Sequence, residues 1–151
     1  MKINLQKLSE EGEQFDIQEP ASILEYKEEG VIFSLPINVS VFVSRSEDTL
    51  LINGKVFTTI GLTCSRCTEV FDRKIESNDF NISLEVADKK EVDITEEIRE
   101  EILLLIPVKP LCCEDCKGMC PKCGQNLNEK KCKCDLSKED DRWSGLNKIK
   151  F

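Results

Sequence analysis

The stretch from Cys112 to Cys134 constrains this chain most. Its 23 residues hold seven of the nine cysteines, and the other two form a separate C-x-x-C at Cys64 and Cys67. A structural zinc site takes four thiolate or imidazole ligands in a tetrahedron, with sulfur at about 2.3 Å from the metal. A C-x-x-C pair in a tight turn supplies two adjacent corners. In Cys120-Pro121-Lys122-Cys123-Gly124 the proline pre-sets φ, and the glycine can take the positive φ that ends such a knuckle. The chain has no histidine, so any closed zinc site in it is expected to be all-thiolate.

Two other uses of clustered cysteine fit less well. Disulfide frameworks belong to small secreted domains; the sequence opens MKINLQKLSEEGEQ without an apolar signal segment, and nine is an odd count for full pairing. A redox C-x-x-C usually follows a strand of a βαβ unit, and no such pattern surrounds Cys120. The sequence therefore predicts structural zinc, one or two ions. Cys120, Cys123, Cys132 and Cys134 can form a local site, although the C-x-C spacing of the last pair is tight. Cys112 and Cys116 then remain to join Cys64 and Cys67 in a second, bridging site across 44 intervening residues. Cys113 is expected to be dispensable.

Charge is unevenly spread. The net charge is −8, yet residues 112–134 carry five lysines against three acids, so the remainder carries −10. A globally acidic chain binds phosphate backbones poorly, because that affinity grows with each phosphate a cation neutralises. The lysines have a simpler explanation, since four thiolates around one zinc leave two net negative charges that nearby cations offset. No apolar run approaches the length of a membrane span, and a cytoplasmic protein is expected.

Upstream of the cysteines the pattern is mostly period two. Residues 1–30 are acidic, with Ile3, Leu5 and Leu8 able to pin the segment and Phe15 and Ile17 alternating like a short strand. From Val31 through Val43 the odd positions are mostly apolar, which predicts a long half-buried strand broken near Pro36. Residues 44–49 are turn chemistry. Leu50, Ile52, Val56, Ile60 and Leu62 then share an even-numbered face. Asn53-Gly54 is a hairpin signal in general, but the even-numbered series runs through it. One long strand is preferred, with Gly54 as a bulge or close-approach point and the hairpin as runner-up. Cys64 and Cys67 then fall at a hairpin tip, although Ser65 and Thr68 replace the favoured proline and glycine. Phe71 and Ile75 predict a return strand, and Phe80, Ile82, Leu84 and Val86 another.

Asp93 can cap a helix, with Glu96 in capping-box register. Ile94, Ile98, Ile102 and Leu105 recur at helical spacing until Pro107. The fold class expected is α+β: an antiparallel β-sheet meander covered by one helix, with a C-terminal Cys-rich zinc-binding module. The boundaries are a β-rich domain over 1–107 with its helix over 93–106, the module over 108–136, and a charged, amphipathic tail over 137–151. In that tail Trp143, Leu146 and Ile149 lie at i, i+3 and i+6. Docking back on the body is the plain expectation for it, and a partner-binding tail the alternative. Arg66, Arg142 and Trp143 are the candidate partner contacts.

Catalysis is not expected. There is no histidine base, no glycine-rich phosphate loop and no G-x-S-x-G. The run Leu62-Thr63-Cys64-Ser65-Arg66-Cys67, the helix from Asp93 to Pro107, and Pro110-Leu111-Cys112 through Asn126-Leu127-Asn128 resemble the bacterial YceD family. Asp141-Arg142 followed by apolar residues resembles that family's Asp-Pro-Arg pattern without its proline. The resemblance implies a non-enzymatic factor that supports synthesis, processing or stability of large-subunit (23S) ribosomal RNA. Its implied partners are a ribosome-assembly or ribosomal protein, the RNA itself, or both, with no small-molecule substrate and no membrane. Two competing readings are a small zinc-ribbon nucleic-acid-binding regulator and a thiol redox protein using Cys64 and Cys67; the latter needs a free, low-pKa thiolate.

Overall fold

The computed structural model describes residues 1–9, 11–87 and 89–134. Arg142, Trp143 and the rest of the 137–151 tail lie outside the described residues.

Among the described residues, seven strands and one α-helix make an α+β fold. Strand β1 (Lys2–Asn4) pairs with β7 (Glu91–Asp93) in a two-stranded ribbon. The main sheet is antiparallel. In it β2 (Glu13–Glu19) pairs with β4 (Ile37–Ser46), and β4 pairs with β5 (Thr49–Thr63). The other edge of β5 pairs along its whole length with β6 (Val70–Glu85). The short β3 (Val31–Ile32) continues the β4 side of β5, opposite Leu62 and Gly61.

The break between β3 and β4 falls at residues 33–36, where proline has no N–H to give a ladder. Ile37, Val39, Val41 and Val43 then point into the core, as the alternation predicts, while Leu35 at the break is exposed. Strand β5 runs straight through Asn53-Gly54, and no hairpin forms there. A Cβ on Gly54 would stand 2.2 Å from the Ser40 carbonyl oxygen, so the close approach of β4 requires glycine.

The two strands expected between Phe71 and Val86 are one. Gly54 opposes Phe80 and Val56 opposes Ser77, so two steps along β5 meet three along β6. This bulge places an extra residue in β6 and switches its inward face from odd positions (Ile75, Ser77) to even ones (Phe80, Ile82, Leu84). The phase change that resembles a strand boundary in the sequence is that bulge.

Helix α1 spans Thr95–Leu104, shorter at both ends than 93–106. The capping box does not form. Asp93 is the last residue of β7, and its carboxylate accepts the Thr95 N–H at 3.1 Å, while Glu96 pairs with Arg99 at 3.3 Å. At the other end the Leu105 N–H donates to the Ile102 carbonyl, a tightened last turn ahead of Pro107. Ile98 and Ile102 are fully buried against the sheet, each burial contributing about 1.5–3 kcal/mol. The helix so placed sends residues 105–112 across to the turn that closes the β5–β6 hairpin.

Candidate metal centre

Cys64 and Cys67 occupy the tip joining β5 to β6. The Cys64 N–H donates to the Glu69 carbonyl at 2.9 Å, and the Thr68 N–H donates back to the Cys64 carbonyl at 3.0 Å. Thr68 closes this turn at φ 59°, the left-handed region where glycine is usual. At Cys120–Gly124 the same bonds recur. The Cys120 N–H donates to the Gln125 carbonyl and the Gly124 N–H to the Cys120 carbonyl, both at 2.9 Å, with Gly124 at φ 71°. The chain thus contains two knuckles of one design.

The cysteine-rich segment docks on the first knuckle through its backbone. Ser65 N–H donates to the Pro110 carbonyl at 2.8 Å, and Met119 N–H to the Arg66 carbonyl at 3.0 Å. Arg66 is exposed overall, and its Nη1 donates to the Cys116 carbonyl at 3.0 Å. Its contact here is with its own chain. Gly118, at φ 72°, lies so close to Arg66 that an added Cβ would meet the Arg66 oxygen at 3.1 Å.

This docking collects thiols from three places. Cys64, Cys67, Cys112 and Cys116 form one group and Cys120, Cys123, Cys132 and Cys134 another, and within each group all sulfurs lie within 4.8 Å of one another. The Cys64 and Cys116 sulfurs are 3.8 Å apart, and those of Cys67 and Cys112 are 3.6 Å apart. A disulfide needs about 2.05 Å. A tetrahedron with arms of about 2.3 Å has edges of about 3.8 Å. The first group therefore has the size of a metal-thiolate tetrahedron, and the two groups can hold metal ions. Cys113 belongs to neither: it is exposed, with its sulfur 3.9 Å from that of Cys112.

The environment favours negative sulfur at particular positions. Burial opposes ionisation of Cys64, but N–H groups of Cys67, Arg66 and Cys112 bring its thiol down to about 6. The N–H groups of Cys123 and Lys122 bring Cys120 to about 6 as well. Cys116 is lowered first by the Asn128 side-chain amide, whose Nδ2 lies 3.3 Å from the sulfur. Their neighbours move the other way. Burial pushes Cys112 up, helped by Cys116 and Cys67, and Cys134 is pushed up to about 12, chiefly by Cys123. Four sulfurs this close share their charge only around a cation, which suits the donor set to a thiophilic metal.

Asn128 is a supporting residue of the first group that cysteine spacing does not reveal. Its Oδ1 accepts the Lys117 N–H at 2.8 Å while its Nδ2 reaches Cys116, and Asn126 Oδ1 accepts the Asn128 N–H at 3.0 Å. The signal available was the Asn-x-Asn spacing just before the last cysteines. Phe71 and Leu111 pack against the first group and shield it from water.

Residues 81–150 match the YceD family, described as large ribosomal RNA subunit accumulation protein YceD. This places the C-terminal segment in the YceD family. Two curated relatives carry the name "Large ribosomal RNA subunit accumulation protein YCED homolog 1, chloroplastic". The one from Arabidopsis thaliana is 31% identical over 76% of this chain and 49% of its own length. The one from Zea mays is 29% identical over 62% of this chain and 46% of its own. The chain thus spans about half the length of the curated relatives it matches. No solved structure matches it. The YceD resemblance read from the motifs is shown by these matches. Neither relative's name mentions a cofactor or a partner. Among the described residues no helix is long and apolar enough to cross a membrane.

Proposed function

We propose that this chain is a non-enzymatic, zinc-stabilised factor that supports synthesis, processing or stability of 23S ribosomal RNA through a ribosome-assembly partner. The YceD match over residues 81–150 carries the reading. That segment contains the helix and all seven of the later cysteines, so the metal-binding module of residues 108–136 falls within the matched stretch. Zinc would be held by Cys64, Cys67, Cys112 and Cys116, and a second ion by Cys120, Cys123, Cys132 and Cys134. Its chemistry here is structural, since four protein sulfurs leave no open position for a substrate or water. The chain's residues do the rest: they fix the knuckle against the helix exit and hold the sulfurs with N–H donors. A cytoplasmic setting belongs to this proposal; the chloroplastic designation is that of the relatives.

The partner is taken to be protein first and RNA second, because the chain carries −8 and its net-basic stretches are the cysteine module and the last ten residues. Arg142 and Trp143 are the proposed contact residues, with Arg66 demoted by its bond to the Cys116 carbonyl. Isolating the tagged protein and sequencing co-purifying RNA, alongside 23S quantification in a deletion strain, tests the reading. Unchanged 23S levels and no enrichment of assembly proteins would sink it. Titration of 23S fragments with the isolated protein should show weak binding that falls steeply with salt.

A further inference from the structure

A groove of about 770 Å³ runs between the helix exit, the start of β3 and the outer side of the first knuckle. Val31, Leu103, Ile106 and Val108 give it an apolar lining, and Val108 is 95% exposed. Glu28 and Glu29 stand along one wall, and Cys64 and Ser65 along another. The wall formed by Pro107 to Pro110 is fixed by the bond from the Ser65 N–H to the Pro110 carbonyl. A pocket of this size and lining takes a few large apolar side chains, and its acids select for cations beside them.

We propose that in the free protein this groove is occupied by the chain's own C-terminal segment, residues 142–151. That segment supplies Trp143, Leu146, Ile149 and Phe151 together with Arg142, Lys148 and Lys150, and contains no acidic side chain. Its apolar residues match the lining and its cations match Glu28 and Glu29. Cys134 is the last described residue, and the nine steps to Trp143 can span about 30 Å. Tethering holds the segment at a millimolar-scale effective concentration, so modest contacts suffice. A partner that engages Arg142 and Trp143 would draw the segment out of the groove. The proposal concerns the isolated chain and stands apart from the ribosomal reading.

Trp143 is the only tryptophan and reports its own surroundings. In the full-length, metal-loaded protein its emission should be blue-shifted relative to the same protein in guanidinium, and shielded from acrylamide. Val108→Asp should return the emission to that of the unfolded chain, with the circular dichroism unchanged because Val108 is exposed. Glu29→Lys should move it part of the way. Leu51→Asp, on the outer face of the sheet, should leave it alone. Wild-type emission already at the unfolded position overturns the proposal, as does a blue shift that Val108→Asp leaves intact. A blue shift that disappears on dilution would assign the groove to a second copy's tail and overturn it equally.

Discussion

The two knuckles have the same backbone and different dependencies. Cys120–Gly124 carries its conformation in its residues, with Pro121 at the second position and Gly124 at the left-handed one, and its four sulfurs come from a span of 15 residues, Cys120 to Cys134. Cys64–Thr68 has neither proline nor glycine. It is held because β5 and β6 enter it from a long paired ladder, and its other two sulfurs arrive from beyond the helix. A loop built from turn residues can fold around its metal by itself. A loop built on a hairpin needs the sheet first, and its metal then fastens a separate segment to that sheet.

The largest expected effect follows from removing the self-contained site. Cys120→Ser/Cys123→Ser should lose one zinc and unfold residues 117–134, because zinc contributes about 10–16 kcal/mol in small zinc-finger peptides and this segment has little other core. Limited proteolysis should cut there while the sheet survives. A protected module in the double variant would show that docking on the knuckle, and not the metal, holds it.

Next comes the bridging site. Cys64→Ser/Cys67→Ser should lower the zinc count by native mass spectrometry from two to one. The sheet should keep its main thermal transition, since its core of Ile37, Leu50, Ile52 and Ile60 lies away from the sulfurs. Hydrogen exchange should rise at the Ser65 and Met119 amides, which donate the docking bonds to the Pro110 and Arg66 carbonyls. One zinc in both proteins would mean that these cysteines share no metal with Cys112 and Cys116.

A third test concerns the amide that serves only the bridging group. Asn128→Leu removes the donor to Cys116 and the acceptor for the Lys117 N–H. Loss of such a supporting partner typically costs 10–100-fold in metal affinity. Competition with a chelator should show one of the two ions released that much more readily, and equal release of both would remove Asn128 from the bridging site.

The contrast between the knuckles also marks what a sequence reveals. The two groups of close sulfurs were readable from spacing because C-x-x-C leaves few geometries, and Gly54 was readable because the even-numbered apolar series crossed it without changing phase. The single strand β6 was not. A bulge and a loop both shift the period-two phase, and only the partner strand's register tells them apart. Asp93 failed as a cap for a related reason. Pairing with β1 claimed it for a strand, a long-range demand that local capping chemistry does not express. Asn128 makes a short-range contact, yet its role depends on Cys116 being turned toward it by the docked knuckle.

The smallest effect is the most direct test of whether the two turns are one design. Thr68 carries a left-handed backbone penalty that Gly124 avoids, worth about 1–2 kcal/mol for a residue with a Cβ. Against this, the Thr68 hydroxyl donates to the Cys67 carbonyl at 2.7 Å and lies 3.6 Å from the Met119 sulfur. These contacts are partly exposed and offset about half of the penalty at most. Thr68→Gly should therefore stabilise the protein by about 0.5–1 kcal/mol, and Gly124→Ala should destabilise the module by about 1 kcal/mol, since no atom lies within 4 Å of its Cβ and only φ opposes it. Denaturant melts of the two metal-loaded variants check this. Opposite signs confirm that Thr68 stands where the second knuckle places glycine. If Thr68→Gly destabilises instead, the hydroxyl contacts outweigh the strain, and the first knuckle is held by its side chain where the second is held by its backbone.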